Sequence, residues 1–348
     1  IGHALDETGT PESEPTYVPP ALLRTHYGRF GTTGSGKSKA LLNDALSLYE
    51  HTDGPVVLLD PKGDGLPENY LRAHAARFGV DDLEANVLHF PLPEILPGFT
   101  FFDLRPALAA GTDRVDAIQR TADHYEEILK LVVGTEKYER ASVAPTLIQA
   151  LISVLFDSEY GRENGHNRES ADYFAHQQLE YVLGQLWQAG PPDPQPEAAP
   201  TASDPDDHRR ITRQLQLDRT TFSRVMGGVS NRLAYISQDV RLRQIFNNTD
   251  PRFDFRDILD EQTVVIFDLG ELQAEPTKLL SGLILSNLED ALRDHSVADK
   301  PDEYVVNLLI DEAASVVDSA IVNRLLEQGR GFGLSVGLSM QFPEQIEE

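Results

Sequence analysis

"GTTGSGKS", Gly31 to Ser38, is the stretch whose reading decides the fold. Its spacing is G-x-x-x-x-G-K-[ST]. Gly31, Gly34 and Gly36 let the successive backbone N–H groups of the run, those of Thr32, Thr33 and Ser35 among them, curl around phosphate oxygens. Lys37 then reaches the β and γ phosphates and Ser38 a Mg²⁺ ion. Such a loop works only between a strand and a helix. Leu22 to Phe30 supplies a short strand in front of it, and Leu41, Leu42, Ala45, Leu46 and Tyr49 recur behind it at helical spacing.

Working outward, "PVVLLDPKGDG" holds a continuous apolar run, Val56 to Leu59, broken by Asp60 and Pro61, the pattern of a buried parallel strand ending at a loop. A helix over Leu71 to Phe78 and a strand at "NVLHF" follow. Later come "TVVIFDLG", a helix bearing Leu279, Leu280, Leu283, Ile284 and Leu288, the run "YVVNLLIDEAAS", a helix through Leu325 and Leu326, and "LSVGLSMQ". Alternating strands and helices predict an α/β fold with a mostly parallel sheet flanked by helices. Between about Leu104 and Phe246 the period is helical throughout, which predicts an inserted all-α domain. The expected division is a flexible leader over 1–20, a discontinuous sheet domain over 21–103 and 247–348, and the helical insertion over 104–246. Within the insertion "QAGPPDPQPEAAPTASDPDDH" predicts a disordered loop at about 189–207.

The totals exclude several classes. The chain of 348 residues is long enough for a full core, and with no cysteine it has neither disulfides nor thiolate metal sites. No apolar run approaches the roughly 18 residues of a membrane helix, and the first twenty residues lack the basic start and apolar core of a signal peptide. A cytoplasmic protein is expected, with a place at the inner face of the membrane left to regions or partners outside this chain. The missing initial Met and the stop at "QFPEQIEE" suggest a fragment. A net charge of −26 resembles the surface of a protein working in high salt, a halophilic trait, and argues against loose coating of DNA. Against that background residues 208–243 hold Arg209, Arg210, Arg213, Arg219, Arg224, Arg232, Arg241 and Arg243 beside only Asp218 and Asp239. This island is either a local DNA contact or a set of partners for the protein's own acids.

A phosphate loop binds; hydrolysis needs carboxylates on a neighbouring strand end. Val305 to Ile310 form that strand, Asp311 stands where a Mg²⁺ water shell is held, and Glu312 follows where it polarises the attacking water, the Walker B pattern; two solvated acids at a strand end are the plainer reading. Gln341, after "LSVGLSM", is either a γ-phosphate sensor or a polar strand cap. Arg330, with a glycine on each side, is either an arginine finger or a surface arginine. No Asn-Lys-x-Asp base reader of a guanine switch protein is present, and "LLSGLI" lacks the glycine pair of a transporter signature. A small-molecule kinase has little use for the adjacent Asp-Glu.

The series "GTTGSGKS", "VVLLDPKGDG", "VVNLLIDEAAS" and "QGRGFGLSVGLSMQFPEQ" resembles the HerA/FtsK superfamily of RecA-like P-loop ring ATPases, and most of all the TraG/TraD-type coupling proteins of conjugation and type IV secretion, across most of residues 22 to 348. That resemblance implies ATP and Mg²⁺ as cofactors. It gives Lys37 and Ser38 the phosphate and the metal, Asp311 the metal shell, Glu312 the catalytic water, Gln341 the sensor role and Arg330 a finger acting on the adjacent protomer. It further implies a homo-hexameric ring that translocates DNA, with secretion-channel or relaxase proteins as partners. The rivals are a HerA-like helicase of DNA end processing and a nucleotide-gated assembly switch that moves nothing.

Overall fold

Three apolar runs without polar alternation form the middle of one sheet. They are β4 (Val56–Asp60), β8 (Val264–Asp268) and β9 (Val306–Ile310). Residues buried on both faces have no need of a period of two, so the runs read as continuous. Around them β3 (Tyr27–Phe30), β5 (Val87–Pro91) and β10 (Leu334–Met340) complete a six-stranded, all-parallel sheet in the order β3-β10-β9-β4-β8-β5. The computed structural model describes residues 2–5, 10–16, 25–99, 101–134, 138, 143–157, 172–247, 253–297, 300–301, 303–316 and 320–342. The chain divides into two units, Ile1–Leu96 with Asp254–Glu348, and Pro97–Phe253.

Register sets the chemistry. Asp60 lies opposite Asp268, Leu59 opposite Ile310, and Phe30 opposite Met340. Asp60, Asp268, Asp311, Gly31 and Gln341 therefore leave the sheet at one edge, the carboxyl ends of the strands, where open parallel sheets bind ligands. Helix α1 (Lys37–His51) closes one face. Leu41, Ala45, Leu46 and Tyr49 point inward and pack with Val56, Leu58, Tyr70, Val264, Ile266 and Leu309, while Leu42 stays partly exposed at the margin. Burial of each such side chain contributes about 1.5–3 kcal/mol.

The second unit is built on the helices Arg114–Val133, Val143–Phe156, His176–Gln188, Pro205–Leu215, Arg219–Gln238 and Val240–Phe246. Asp113, Asp204, Asp218 and Asp239 each accept backbone N–H groups at a helix start, so part of the acidity is spent on caps.

Three local features stand beside the expected division. The segment 189–207 has local structure: Gln195 N–H donates to Ala189 O, Pro196–Ala198 makes a 3₁₀ turn, and Ser203 N–H donates to the Asp157 carboxylate. Pro and Asp serve turns and caps as readily as disorder. In the second unit β6 (Phe102–Asp103) pairs antiparallel with β7 (Tyr173–Phe174); two-residue strands leave no periodic signal. In the leader, β1 (Gly2–Leu5) pairs antiparallel with β2 (Pro11–Thr16). A two-stranded ladder is all edge, where proline's missing N–H is tolerated. Among the described residues no helix is long and apolar enough to cross a membrane.

Candidate active site

The phosphate loop leaves β3 and turns into α1 through two left-handed glycines, Gly34 (φ 81°) and Gly36 (φ 92°), the second being the helix N-cap. A side chain at either position would be strained, whatever space surrounds it. Gly31 N–H donates to Met340 O at 3.2 Å, which ties the loop to the adjoining strand end. Thr32, Thr33, Gly34, Ser35 and Gly36 are all exposed. Lys37 Nζ donates to the carbonyls of Gly31 (2.6 Å) and Thr32 (3.3 Å), so its ammonium lies within the curl of the loop. A phosphate is the stronger, charge-assisted partner for it.

Ser38 and Asp311 are 273 positions apart in sequence, and Ser38 Oγ donates to Asp311 Oδ2 at 2.7 Å. Asp311 is buried, and its N–H donates to Leu59 O at 3.0 Å. One hydroxyl and one carboxylate are hard oxygen donors of the kind Mg²⁺ takes when phosphate and water complete its shell. The donor set fits that ion.

Glu312 turns out of the strand in the left-handed region (φ 43°), the one described non-glycine residue with positive φ. Such backbone strain concentrates at functional sites. It is held by its own N–H donating to Asp311 Oδ1 (3.0 Å) and by Ser315 Oγ donating to Glu312 O (2.8 Å). Gln341 Nε2 donates to Glu312 Oε1 at 2.8 Å. Gln341 thus sits on the carboxylate beside it, a closer engagement than a simple strand cap requires.

Two acids on neighbouring strands went unassigned in the sequence. Asp60 is buried, its Oδ1 accepting from Lys62 N–H (2.9 Å) and Gly63 N–H (3.2 Å). Burial pushes its pKa up to about 6; those two donors oppose the shift, and Asp311 and Asp268 add to it. Asp268 Oδ1 accepts from Gly270 N–H at 3.1 Å. "LLDPKG" and "IFDLG" share the legible signal, an apolar strand ending in Asp with glycine two or three residues on.

Arg330 does not join this group. It lies exposed in a 3₁₀ turn, Gly329–Phe332, and makes no ion pair among the described residues. The arginine island divides. Arg209, Arg210 and Arg241 pair with Asp206, Asp207 and Asp239, and the buried Arg232 donates to the carbonyls of Gly228 (2.8 Å) and Tyr138 (3.0 Å). Arg213, Arg219, Arg224 and Arg243 are exposed and make no ion pair among the described residues.

A parallel sheet flanked by helices, with a glycine-cradled lysine at its carboxyl edge and an Asp-Glu pair two strands further in, defines a RecA-like P-loop NTPase fold. More narrowly, the chain belongs to the family "Helicase HerA, central domain", which matches residues 1–288, and is a HerA/FtsK-like P-loop ATPase. Among solved structures it is similar to the bacterial conjugative coupling protein TrwBΔN70 in its unbound monoclinic form, with 17% identity and a TM-score of 0.55 over 99% of this chain and 67% of that one. The plasmid coupling protein TrwB in complex with the ATP analogue ADPNP gives 16%, 0.54, 99% and 69%. VirB4 of Thermoanaerobacter pseudethanolicus gives 13%, 0.56, 100% and 78%. At such identities the likeness is one of fold. No curated protein matches the chain.

Proposed function

We propose that this chain hydrolyses ATP with Mg²⁺ and that the cycle drives DNA through a ring of identical subunits, six in the resembling family, as a coupling-protein-like motor of conjugative DNA transfer. The observation that supports this reading is the junction at the sheet edge, where Ser38 meets Asp311 at 2.7 Å and Gln341 meets Glu312 at 2.8 Å. Residues 31–38 and the Lys37 ammonium hold the triphosphate, and Ser38 with Asp311 hold the metal. When bound, Mg²⁺ supplies charge neutralisation at the phosphates. Glu312 takes the proton of the attacking water, and Gln341 fixes the direction in which that carboxylate points. Arg330 is the finger for a neighbouring subunit's site, a role that suits an exposed cation on a glycine-flanked turn. Arg213, Arg219, Arg224 and Arg243 of the helical unit, all exposed, offer phosphate contacts on an otherwise acidic chain, and relaxase or secretion-channel proteins are its further partners.

Steady-state ATP turnover with and without DNA in high salt tests the proposal. DNA is expected to stimulate the wild type, Lys37→Ala to lose nucleotide binding, and Glu312→Gln to bind ATP while turning over about 10²–10⁴-fold more slowly. Unchanged turnover in both variants sinks the site. Stimulated hydrolysis with no directional strand displacement favours a nucleotide-gated assembly switch. The family match favours a second motor reading, a HerA-like helicase or translocase of end processing. It is told apart by a nuclease partner in place of a secretion channel.

A further inference from the structure

The loop after β4, "PKGDG" at Pro61–Gly65, has no part in the scheme above, yet it is firmly built. Asp60 Oδ1 gathers the N–H groups of Lys62 and Gly63 into an Asx-type turn. Gly63 is left-handed (φ 72°), and a Cβ on Gly270 would lie 2.0 Å from Gly63 Cα, so the loops after β4 and β8 touch backbone to backbone. A loop clamped from both sides sends its long side chain to one place. Lys62 Nζ lies 2.5 Å from Asp64 Oδ2 and 3.9 Å from Glu312 Oε2. The hydrogen bond to Asp64 does most to hold the ammonium above the ordinary lysine pKa, with the charges of Asp64, Glu312 and Asp311 acting in the same sense against its desolvation.

Glu312 is therefore engaged at both oxygens, by the neutral Gln341 amide at Oε1 and by a cation beside Oε2. The two contacts of Lys62 differ in kind. That to Asp64 is tight and local; that to Glu312 is long and easily exchanged. We infer that Lys62 is a positioning residue that exchanges Glu312 for the terminal phosphate of a triphosphate held at Gly31–Ser38, releasing the carboxylate for water only when that phosphate is there. The inference rests on the nucleotide reading above. Ser38, Asp311, Glu312 and Lys62 form a continuous line of contacts, so a phosphate whose metal is held by the first two arrives next to the last. A phosphate oxygen is a better partner for an ammonium than a carboxylate 3.9 Å away, and a diphosphate has no terminal group to offer at that point.

Equilibrium binding of ADPNP and of ADP, each with Mg²⁺, to the full chain tests this. Lys62→Met keeps the stem and removes the charge; it is expected to weaken ADPNP about tenfold and to leave ADP within about twofold, so that the preference for the triphosphate collapses. Lys62→Arg is expected to retain most of that preference. Equal weakening of both nucleotides, or of neither, overturns the exchange and leaves Lys62 a structural residue of its loop. Lys62 is about one-third exposed, so neither substitution threatens the core, and matching circular dichroism confirms folding. Lys37→Ala, measured alongside, separates the two claims: wild-type affinity for both nucleotides there refutes the site itself, whereas loss there with an unchanged preference in Lys62→Met refutes only the exchange.

Discussion

Burial acts on a titratable group in each unit, with opposite results. At the sheet edge it pushes the Asp60 carboxyl up to about 6; inside the helical unit it pushes the His176 imidazole down to about 3. One cause, the cost of a charge away from water, favours the neutral form of both. The surroundings differ. Asp60 is gripped by two backbone donors and stands beside Asp268 and Asp311, acids that the strand register brings to the same edge. His176 is enclosed by side chains, with Tyr125 5.9 Å away ring to ring and Ser237 Oγ 3.4 Å from Nδ1, that hydroxyl in turn donating to Glu180 Oε1. Its Nε2 has no hydrogen-bond partner among the described residues. Asp60 stands with other acids where a ligand reaches them, while His176 is enclosed within packing.

The largest break in this comparison comes from acid. His176 has a folded pKa of about 3 against an ordinary value of 6.5, so between these values the unfolded chain binds a proton that the folded one refuses. Stability is full above pH 6.5 and falls as the pH drops, by about 1.4 kcal/mol per unit and on the order of 5 kcal/mol over the window. Trp187, the single tryptophan, lies in the same unit and reports its unfolding by fluorescence. Urea titrations from pH 7 to pH 4.5 are expected to show that slope in the wild type and its loss in His176→Phe. A slope that survives the substitution assigns the acid sensitivity elsewhere.

The sheet edge is expected to respond with the opposite sign. A raised folded pKa of about 6 means that Asp60 favours the folded state at low pH and loses that contribution as pH rises from 3.8 through 6. Asp60→Asn is permanently neutral and keeps an oxygen for the Lys62 and Gly63 donors. Above pH 6, without nucleotide or Mg²⁺, it is expected to protect the Val56–Leu59 amides from hydrogen exchange more than the wild type does, by on the order of 3 kcal/mol. Below pH 4 the two are expected to coincide. Weaker protection at high pH would mean that the Asp60 charge, not its shape, holds the loop.

The same contrast marks what the sequence can reveal. The phosphate loop and the Asp-Glu pair were legible because strand, glycine turn and helix are local patterns, and a continuous apolar run announces a buried parallel strand. The order of strands was not. That Ser38 and Asp311 touch depends on β10 lying between β3 and β9, a long-range fact with no local signature. Lys62 stayed unread for the same reason: its placement needs Gly63 against Gly270, two loops some two hundred positions apart. In the helical unit the period was plain, but the arginine island read as one patch, although half of it is occupied by Asp206, Asp207, Asp239 and main-chain carbonyls. The first three of those pairs lie within three residues, and only helix phase with exposure tells them from arginines open to a partner.

The smallest effect sharpens the comparison most finely. Tyr125 is fully buried, its ring 4.8 Å from Phe102, and its hydroxyl has no hydrogen-bond partner among the described residues. An unpaired buried hydroxyl costs free energy, whereas the ring beneath it contributes ordinary apolar burial. If the helical unit buries polar groups purely as packing material, Tyr125→Phe removes the cost and keeps the ring. It is then expected to leave stability unchanged or raise it by up to about 1 kcal/mol, read from the urea midpoint by Trp187 fluorescence. A loss above about 1 kcal/mol would mean that the hydroxyl does bond, through water, to a group such as Glu180, whose charge lies near enough to act on it. The helical interior would then hold a polar network of its own, and the contrast with the sheet edge would be one of access to ligand rather than of chemistry.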